Sequence, residues 1–465
     1  MYILTQVLNC AIRDVIEDHV TSFTQRFLDS LHNGPTLQNY LHLIQGTQAI
    51  LKPCLQTCIT TILESMDQTY RDSTVRKQFA YVKVRRSRTL WTIHGPLTYC
   101  RTIYQPKHGG PCFCYLDELL GLPRYTKFDP SVCAHIHQRA SETNSLALLG
   151  RWIGQDCFGQ IGRTDAFISR QTIRNILKKA PRQFTLERAQ RTPETLYIMA
   201  DEKYIAMQGQ DKQKQMIKCA VSYEHRVDIE TKRPGLSNKV IFASLSPNFW
   251  EDFLDRLSER YDLSQVKHFI LMGDGANWIK SGCEALRTFK DQTVVFHLDH
   301  FHYKQALHRF TLDPSRKREI DHLIATQPTH TVRKELKRYD TEDLKPTQAK
   351  SLKYLIHHIS DIKRCLQNPQ IKCSMEGQIS HELAAIFSSI PKGYSLNILN
   401  ILTHLRTAHH NGINVFQHSL HHQNRFSLDA NTFDYSIFNT KKDHGRIIQD
   451  PKLYKAVLQN VITNF

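Results

Sequence analysis

The sequence predicts a multidomain α+β protein: a helical N-terminal region, a β-hairpin leading into a helix-turn-helix-like part, and an α/β core interrupted by a helical insertion. Three observations carry this expectation. At 465 residues the chain exceeds one ordinary hydrophobic core. Its apolar period changes twice, from helical to alternating near residue 88 and again near residue 196. Its formal net charge is +17 with a pI near 9.3, a surplus typical of proteins that neutralise phosphates and release counterions.

The first eighty residues read as helices. Ile3, Val7, Leu8, Ala11, Ile12 and Val15 recur at helical spacing, and periodic apolar positions continue through Leu37 to Met66. Arg88 to Ile93 and Leu97 to Tyr104 are rich in β-branched and aromatic residues around His94-Gly95-Pro96, which predicts a hairpin. A Gly/Pro-rich break follows at His108 to Pro111. Helices are expected over Ser141–Trp152 and Ser169–Lys179, the second opening on Ser169 as N-cap. In that second helix Ile173, Ile176 and Leu177 face inward, leaving Arg170, Gln171, Arg174 and Asn175 outward. A polar, basic second helix of a short pair is what a helix-turn-helix reader lays in the major groove. An ordinary amphipathic surface helix has the same pattern.

Pro181 to Pro193 reads as a linker. Strands are then expected at Leu196–Ala200, Gln215–Tyr223, Lys239–Leu245, His268–Met272 and Thr293–Leu298, with helices over Pro247–Arg260 and Ala276–Phe289. Residues 300–370 are helical by period and basic. The resulting segments are 1–80, 81–185, 190–300, 301–370 and 371–465.

Several function classes are excluded or disfavoured. No stretch approaches eighteen uninterrupted apolar residues, so no membrane partner is expected. Asp14, Glu17 and Asp18 interrupt the N-terminal apolar residues, unlike a signal peptide. Twelve scattered cysteines form no paired framework, and neither Cys54/Cys58 nor His108/Cys112/Cys114 matches a common zinc spacing. A cytoplasmic protein, nucleoid-associated if bacterial, is expected.

The chemistry rests on carboxylates. Asp201 ends the first core strand and Asp274 the fourth, and in a mixed sheet those strands can lie side by side. Glycines on both sides of Asp274 let backbone or ligand approach closely. A third acid would complete a cage for two divalent ions about 4 Å apart. Oxygen-only ligands suit Mg²⁺ or Mn²⁺. Asp299, Glu376 and Glu382 compete for the third place, and spacing does not choose among them; Asp299 could equally cap the helix starting at His300.

Ala200-Asp201-Glu202, Gly273-Asp274-Gly275-Ala276-Asn277-Trp278-Ile279-Lys280, Leu298-Asp299-His300-Phe301-His302 and Met375-Glu376-Gly377-Gln378-Ile379-Ser380-His381 resemble the motifs of the Lre-type insertion-sequence transposases. That family was long catalogued as uncharacterised. The likeness extends to Ile168-Ser169-Arg170-Gln171-Thr172 and the hairpin near Gly95, covering roughly residues 70–410. It implies a DDE transposase with an RNase H-like core, Glu376 as third acid, and assembly as a dimer or higher oligomer on DNA. Where the family usually carries Ser-Ser-Arg-Pro, this chain has Ser388-Ser389-Ile390-Pro391, with Ile386 upstream and Lys392 after it.

The expected catalytic and metal-binding residues are therefore Asp201, Asp274 and Glu376, with two Mg²⁺ or Mn²⁺ ions. Double-stranded DNA, as element ends and target, is the expected partner. Contacts to it are expected from Arg85, Arg86 and Arg88, from Arg170, Gln171 and Arg174, and from His300 and His302. Packing or surface roles compete for the histidines, and Trp278 reads as a packing residue. A nuclease or resolvase that cuts without joining, and a DNA-binding protein with inert acids, are the alternative readings.

Overall fold

The computed structural model describes residues 2–30, 37–143, 145–158, 168–209, 214–227, 235–339, 344–371, 373–375 and 393–429. The architecture is mixed α+β. The chain forms two compact units, one of Met1–His137, Ser145–Ile176 and Phe416–Phe465, the other of Gln138–Asn144 and Leu177–Val415.

In the first unit, α1 (Tyr2–Ser30), α2 (Leu37–Asp72) and α3 (Thr74–Phe79) precede an antiparallel hairpin of β1 (Ala80–Thr92) and β2 (Gly95–Pro106). The hairpin is longer than the sequence period indicates, because α2 supports it along its length. The Asp67 carboxylate accepts from the Thr102 amide and hydroxyl at 3.0 and 2.6 Å, and Glu64 accepts from the Cys100 amide at 2.7 Å. Leu63 and Met66 pack against Leu90, Leu97 and Tyr99. Thr92 pairs with Gly95, whose φ of +105° closes the turn.

Next come α4 (Tyr115–Leu119), α5 (Pro130–Ala140), α6 (Leu146–Phe158) and α7 (Arg170–Leu177). The predicted helix over Ser141–Trp152 is displaced. Ser141 instead closes α5, its hydroxyl donating to the Gln138 carbonyl at 2.6 Å, while the Ser145 hydroxyl accepts from the Leu148 amide as α6 begins. Two local caps thus outweigh a continuous apolar period. Helix α7 has the faces read from the sequence: Ile173, Ile176 and Leu177 are buried, Arg170, Gln171 and Asn175 exposed, and Arg174 half-buried. Ser169 accepts from the Thr172 amide at 3.2 Å. The chain between α6 and α7, residues 159–167, lies outside the described residues.

The second unit is built on a five-stranded sheet. Strands β3 (Thr195–Ala206), β4 (Lys214–Tyr223), β7 (Val240–Ser244), β8 (His268–Gly273) and β9 (Thr293–Leu298) take the order β7-β4-β3-β8-β9, with β5 (Arg226–Val227) and β6 (Gly235–Leu236) forming a small separate ladder. Strand β4 pairs antiparallel with both β3 and β7, while β8 and β9 run parallel to β3. One face is covered by α8 (Phe249–Arg260), whose Phe249, Trp250, Phe253 and Leu257 are buried in the core with Leu196, Ile198 and Ala200. The expected helix over Ala276–Phe289 breaks into α9 (Asn277–Lys280) and α10 (Gly282–Ala285). Gly282 lies so close to the Trp250 indole that a Cβ there would fall 2.5 Å from it, which ties the break to sheet packing.

Helices α11 (His300–Phe310), α12 (Pro314–Thr326), α13 (Thr329–Arg338), α14 (Pro346–His357) and α15 (Ile359–Gln367) form the insertion after β9. Their buried Leu307, Ile320, Ile324, Leu336 and Leu355 join the same core. Then follow α16 (Leu396–His410) and α17 (Val415–Asp429). Asn411, just after α16, donates to the Ile241 carbonyl and accepts from its amide, at 2.8 and 2.7 Å, so a side chain satisfies the outer edge of β7. Among the described residues no helix is long and apolar enough to cross a membrane.

Candidate active site

The parallel register of β3 and β8 ends at Met199 opposite Met272. Asp201 and Asp274 each stand two residues beyond that last pair, so the register places them side by side. Asp201 does not end its strand as the sequence reading expects, since β3 continues to Ala206 as the arm of a hairpin with β4. The carboxylate thus comes from mid-strand, on rigid backbone.

Gly273 lets the two strands approach. A Cβ there would lie 2.9 Å from the Ala200 carbonyl oxygen and as near to Ile279. After it the chain turns sharply: Gly275 has φ +92°, and the Asp274 carboxylate accepts from the Ala276 amide at 2.8 Å. The flanking glycines therefore have separate reasons, close strand approach on one side and a left-handed turn on the other.

The electrostatics show that these groups feel one another. Burial, reinforced by the charges of Asp274 and Glu202, pushes the Asp201 carboxyl up to about 6, against a bond from the Glu202 amide and the attraction of His302. Burial also raises Glu202, with Asp274 adding to the shift, while the Trp278 indole N–H, 2.5 Å from its carboxylate, pulls the other way. Glu202 is a site member to which the sequence reading gave no role. Its adjacency to Asp201 was visible, but its pairing with Trp278 depends on contacts 76 residues apart.

Trp278 packs as expected. Its ring stacks on Trp250 at 5.9 Å and meets Phe249 edge-on at 5.3 Å, with Lys218 over it at 5.6 Å. Asp299 is buried and caps α11, accepting from the Phe301 amide at 3.0 Å. His302, one turn into α11, lies 3.8 Å from the Asp299 carboxylate, whereas His300 is exposed. His302 is close enough to favour the ionised forms of Asp201 and Glu202.

Glu376 and the arginine-poor stretch Ile386 to Lys392 lie outside the described residues. The residues just before Glu376 do reach the sheet. The Ser374 amide donates to the Met199 sulfur at 3.2 Å, Met375 is buried, and the Cys373 thiol, pushed up chiefly by burial, also feels Asp299 and Asp201. Among the described residues, no group of three or more His, Cys, Asp or Glu side chains could hold a metal ion. Asp201, Glu202 and Asp274 offer carboxylate oxygens near β3 and β8, which fit a hard divalent cation.

Arg88 requires a correction. It is not an available DNA contact: its guanidinium is buried, bonded to Asp117 at 2.7 Å and to the Pro123 and Thr126 carbonyls at 3.0 and 2.9 Å. Arg101 pairs with the same carboxylate. Arg85 and Arg86 are exposed on the same strand.

The sequence pattern of Uncharacterised protein family (UPF0236) matches residues 36–424. The chain belongs to that family. A UPF0236 protein of Caldanaerobacter subterraneus subsp. tengcongensis, whose name joins eleven locus labels, is 25% identical over 414 residues, covering 86% of this chain and 84% of the relative. Another from the same organism, with four locus labels in its name, is 24% identical over 415 residues, again covering 86% and 84%. Among solved structures, the Drosophila P element transposase strand transfer complex is similar at a TM-score of 0.22 and 11% identity, over 66% of this chain and 83% of that one. A likeness that small carries no argument about fold or function.

Proposed function

We propose that this UPF0236 member is a DDE transposase of an insertion sequence, a polynucleotidyl transferase that binds terminal inverted repeats, cuts DNA and joins the cut end to a target. The observation that carries the reading is the juxtaposition of Asp201 and Asp274 past the last β3/β8 pair, in a strongly basic chain. An antiparallel three-stranded unit extended by two parallel strands, with acids on the first and fourth strands, is the arrangement an RNase H-like core uses. The eleven locus labels carried by one relative's name also fit a self-copying element.

Asp201, Asp274 and Glu376 would hold two Mg²⁺ or Mn²⁺ ions. Glu376 comes from the motif resemblance, and Ser374, two residues before it in sequence, is anchored on Met199 of β3. When bound, the ions would activate the attacking oxygen and stabilise the leaving one. The chain's own part is positioning. Strand β3 presents Asp201 rigidly, the glycine turn aims Asp274, and His302 offsets the acids' mutual repulsion. Arg85, Arg86, Arg170, Gln171, Arg174 and His300 would meet DNA phosphates or base edges, and a dimer or higher oligomer would pair two element ends.

The test is strand transfer with a DNA carrying the element's ends and Mg²⁺. The wild type should give 3′-hydroxyl ends joined to target. Asp274→Asn should still bind DNA but lose cleavage and joining. Full activity in Asp274→Asn overturns the reading, and cleavage without joining reassigns the chain to a nuclease or resolvase.

A further inference from the structure

We infer that Tyr354 and His358 of the helical insertion are positioning residues for Asp274, so that the insertion sets how tightly the carboxylate pair holds a divalent cation. The inference rests on the proposed metal-binding role of that pair and adds residues that neither the motifs nor the family description single out.

The segment from Asp274 to Lys280 is tied to the insertion at three successive points. The Tyr354 hydroxyl donates to the Asp274 backbone carbonyl at 2.8 Å. The imidazole of His358 lies against Gly275 so closely that a Cβ on that glycine would fall 2.5 Å from its ring carbon. The ammonium of Lys280 bonds the Asp361 carboxylate at 2.6 Å. The clamp is braced internally. His358 is buried, its Nδ1 is 3.2 Å from the same Asp361 carboxylate, and its ring packs on Tyr354 at 4.6 Å between centroids. Burial raises the Asp361 carboxyl, but bonds from His358 and Lys280 outweigh it and hold the group below the usual carboxylate range. Arg364 adds a second cation 3.7 Å from Asp361.

This geometry acts on the carboxylate through the backbone. The Tyr354 bond fixes the peptide plane between Asp274 and Gly275, and the His358 ring blocks the turn from relaxing toward the insertion. Together they restrict rotation about the Asp274 backbone, which otherwise swings the side chain relative to Asp201. A ligand held in one orientation binds a cation more tightly than one that must be ordered on binding, as supporting contacts around metal ligands generally do.

The test compares Mn²⁺ binding to the full chain, by titration calorimetry without DNA, in the wild type, Tyr354→Phe, Tyr303→Phe and Asp274→Asn. Tyr303→Phe is the control: it removes a buried hydroxyl of the same insertion that bonds Asp321, away from the Asp274 turn. Tyr354→Phe should weaken Mn²⁺ binding about fivefold, the order given by one lost neutral hydrogen bond, and raise the Mn²⁺ concentration needed for half-maximal cleavage to match. Its metal-free DNA affinity should stay at the wild-type value, and Tyr303→Phe should bind Mn²⁺ like the wild type. Unchanged Mn²⁺ binding in Tyr354→Phe overturns the inference, as does an equal loss in Tyr303→Phe. If Asp274→Asn binds Mn²⁺ as well as the wild type does, the metal role of the pair fails, and the inference with it.

Discussion

Replacing Arg88 by Met separates a structural arginine from a DNA-binding one. The guanidinium is almost fully enclosed, with 5% of the side chain exposed, so solvent screening does little to reduce its interactions. The substitution removes a 2.7 Å ion pair to Asp117, while the Pro123 carbonyl keeps the Thr126 amide as donor at 3.1 Å and the half-buried Thr126 carbonyl loses its bond from Arg88. Asp117 keeps Arg101, so its charge is not stranded. Loss of one partner from a buried pair typically costs about 3–5 kcal/mol, and the remaining arginine places Arg88→Met toward the lower end of that range. Urea denaturation followed by tryptophan fluorescence reads this directly, and fluorescence anisotropy with a DNA duplex reads binding by the folded fraction. The expected result is a loss of about 3 kcal/mol with unchanged DNA affinity. A stability change below about 1 kcal/mol, or weakened DNA binding at full stability, would refute the buried-pair account.

The neighbouring arginines should behave in the opposite way. Arg85→Ala with Arg86→Ala should leave stability within about 0.5 kcal/mol, while the slope of log affinity against log salt falls by about 0.9 per lost phosphate contact on duplex DNA. An unchanged salt slope would remove the hairpin from the DNA interface. Gly273→Ala forces a methyl onto the Ala200 carbonyl, which cannot rotate away, so overpacking of about 1–3 kcal/mol is expected. It should also cost cleavage activity because β3 and β8 carry the two acids; wild-type stability and activity together would show that the strands can part freely. His137 is fully buried, and burial lowers its pKa from 6.5 to about 4. Its neutral form is the folded one, so it adds no pH dependence above 6.5 and the fold weakens as pH falls from 6.5 toward 4. Over that span the loss approaches about 3 kcal/mol. His137→Gln should flatten this part of a stability-versus-pH curve, and an unaltered slope there would contradict the assignment.

The parts of the fold legible from sequence were those governed by neighbouring residues. The exposed and buried faces of α7 follow from 3.6-residue periodicity, and Ser169 caps it because a hydroxyl at that position reaches an amide three residues on. Asp274 stood out because glycines on both sides announce a special turn. Other features needed partners far along the chain. Arg88 looks like Arg85 and Arg86 in sequence, and only Asp117, 29 residues away, makes it a core residue. The break between α9 and α10 reflects the Trp250 indole against Gly282, which helical period does not encode. Tyr354 reaches Asp274 across 80 residues, and no local pattern marks it.

Asp201 and Asp274 show the same division. Residue type, glycine flanks and a basic charge surplus mark Asp201 and Asp274 as candidates in the sequence alone, because these are properties of a few adjacent residues. That the two stand side by side was decided by the parallel register of β3 on β8, which sums packing over the whole sheet. How each carboxylate titrates was decided there too: burial and the charge of Asp274 raise Asp201, and both exist only once the strands have met.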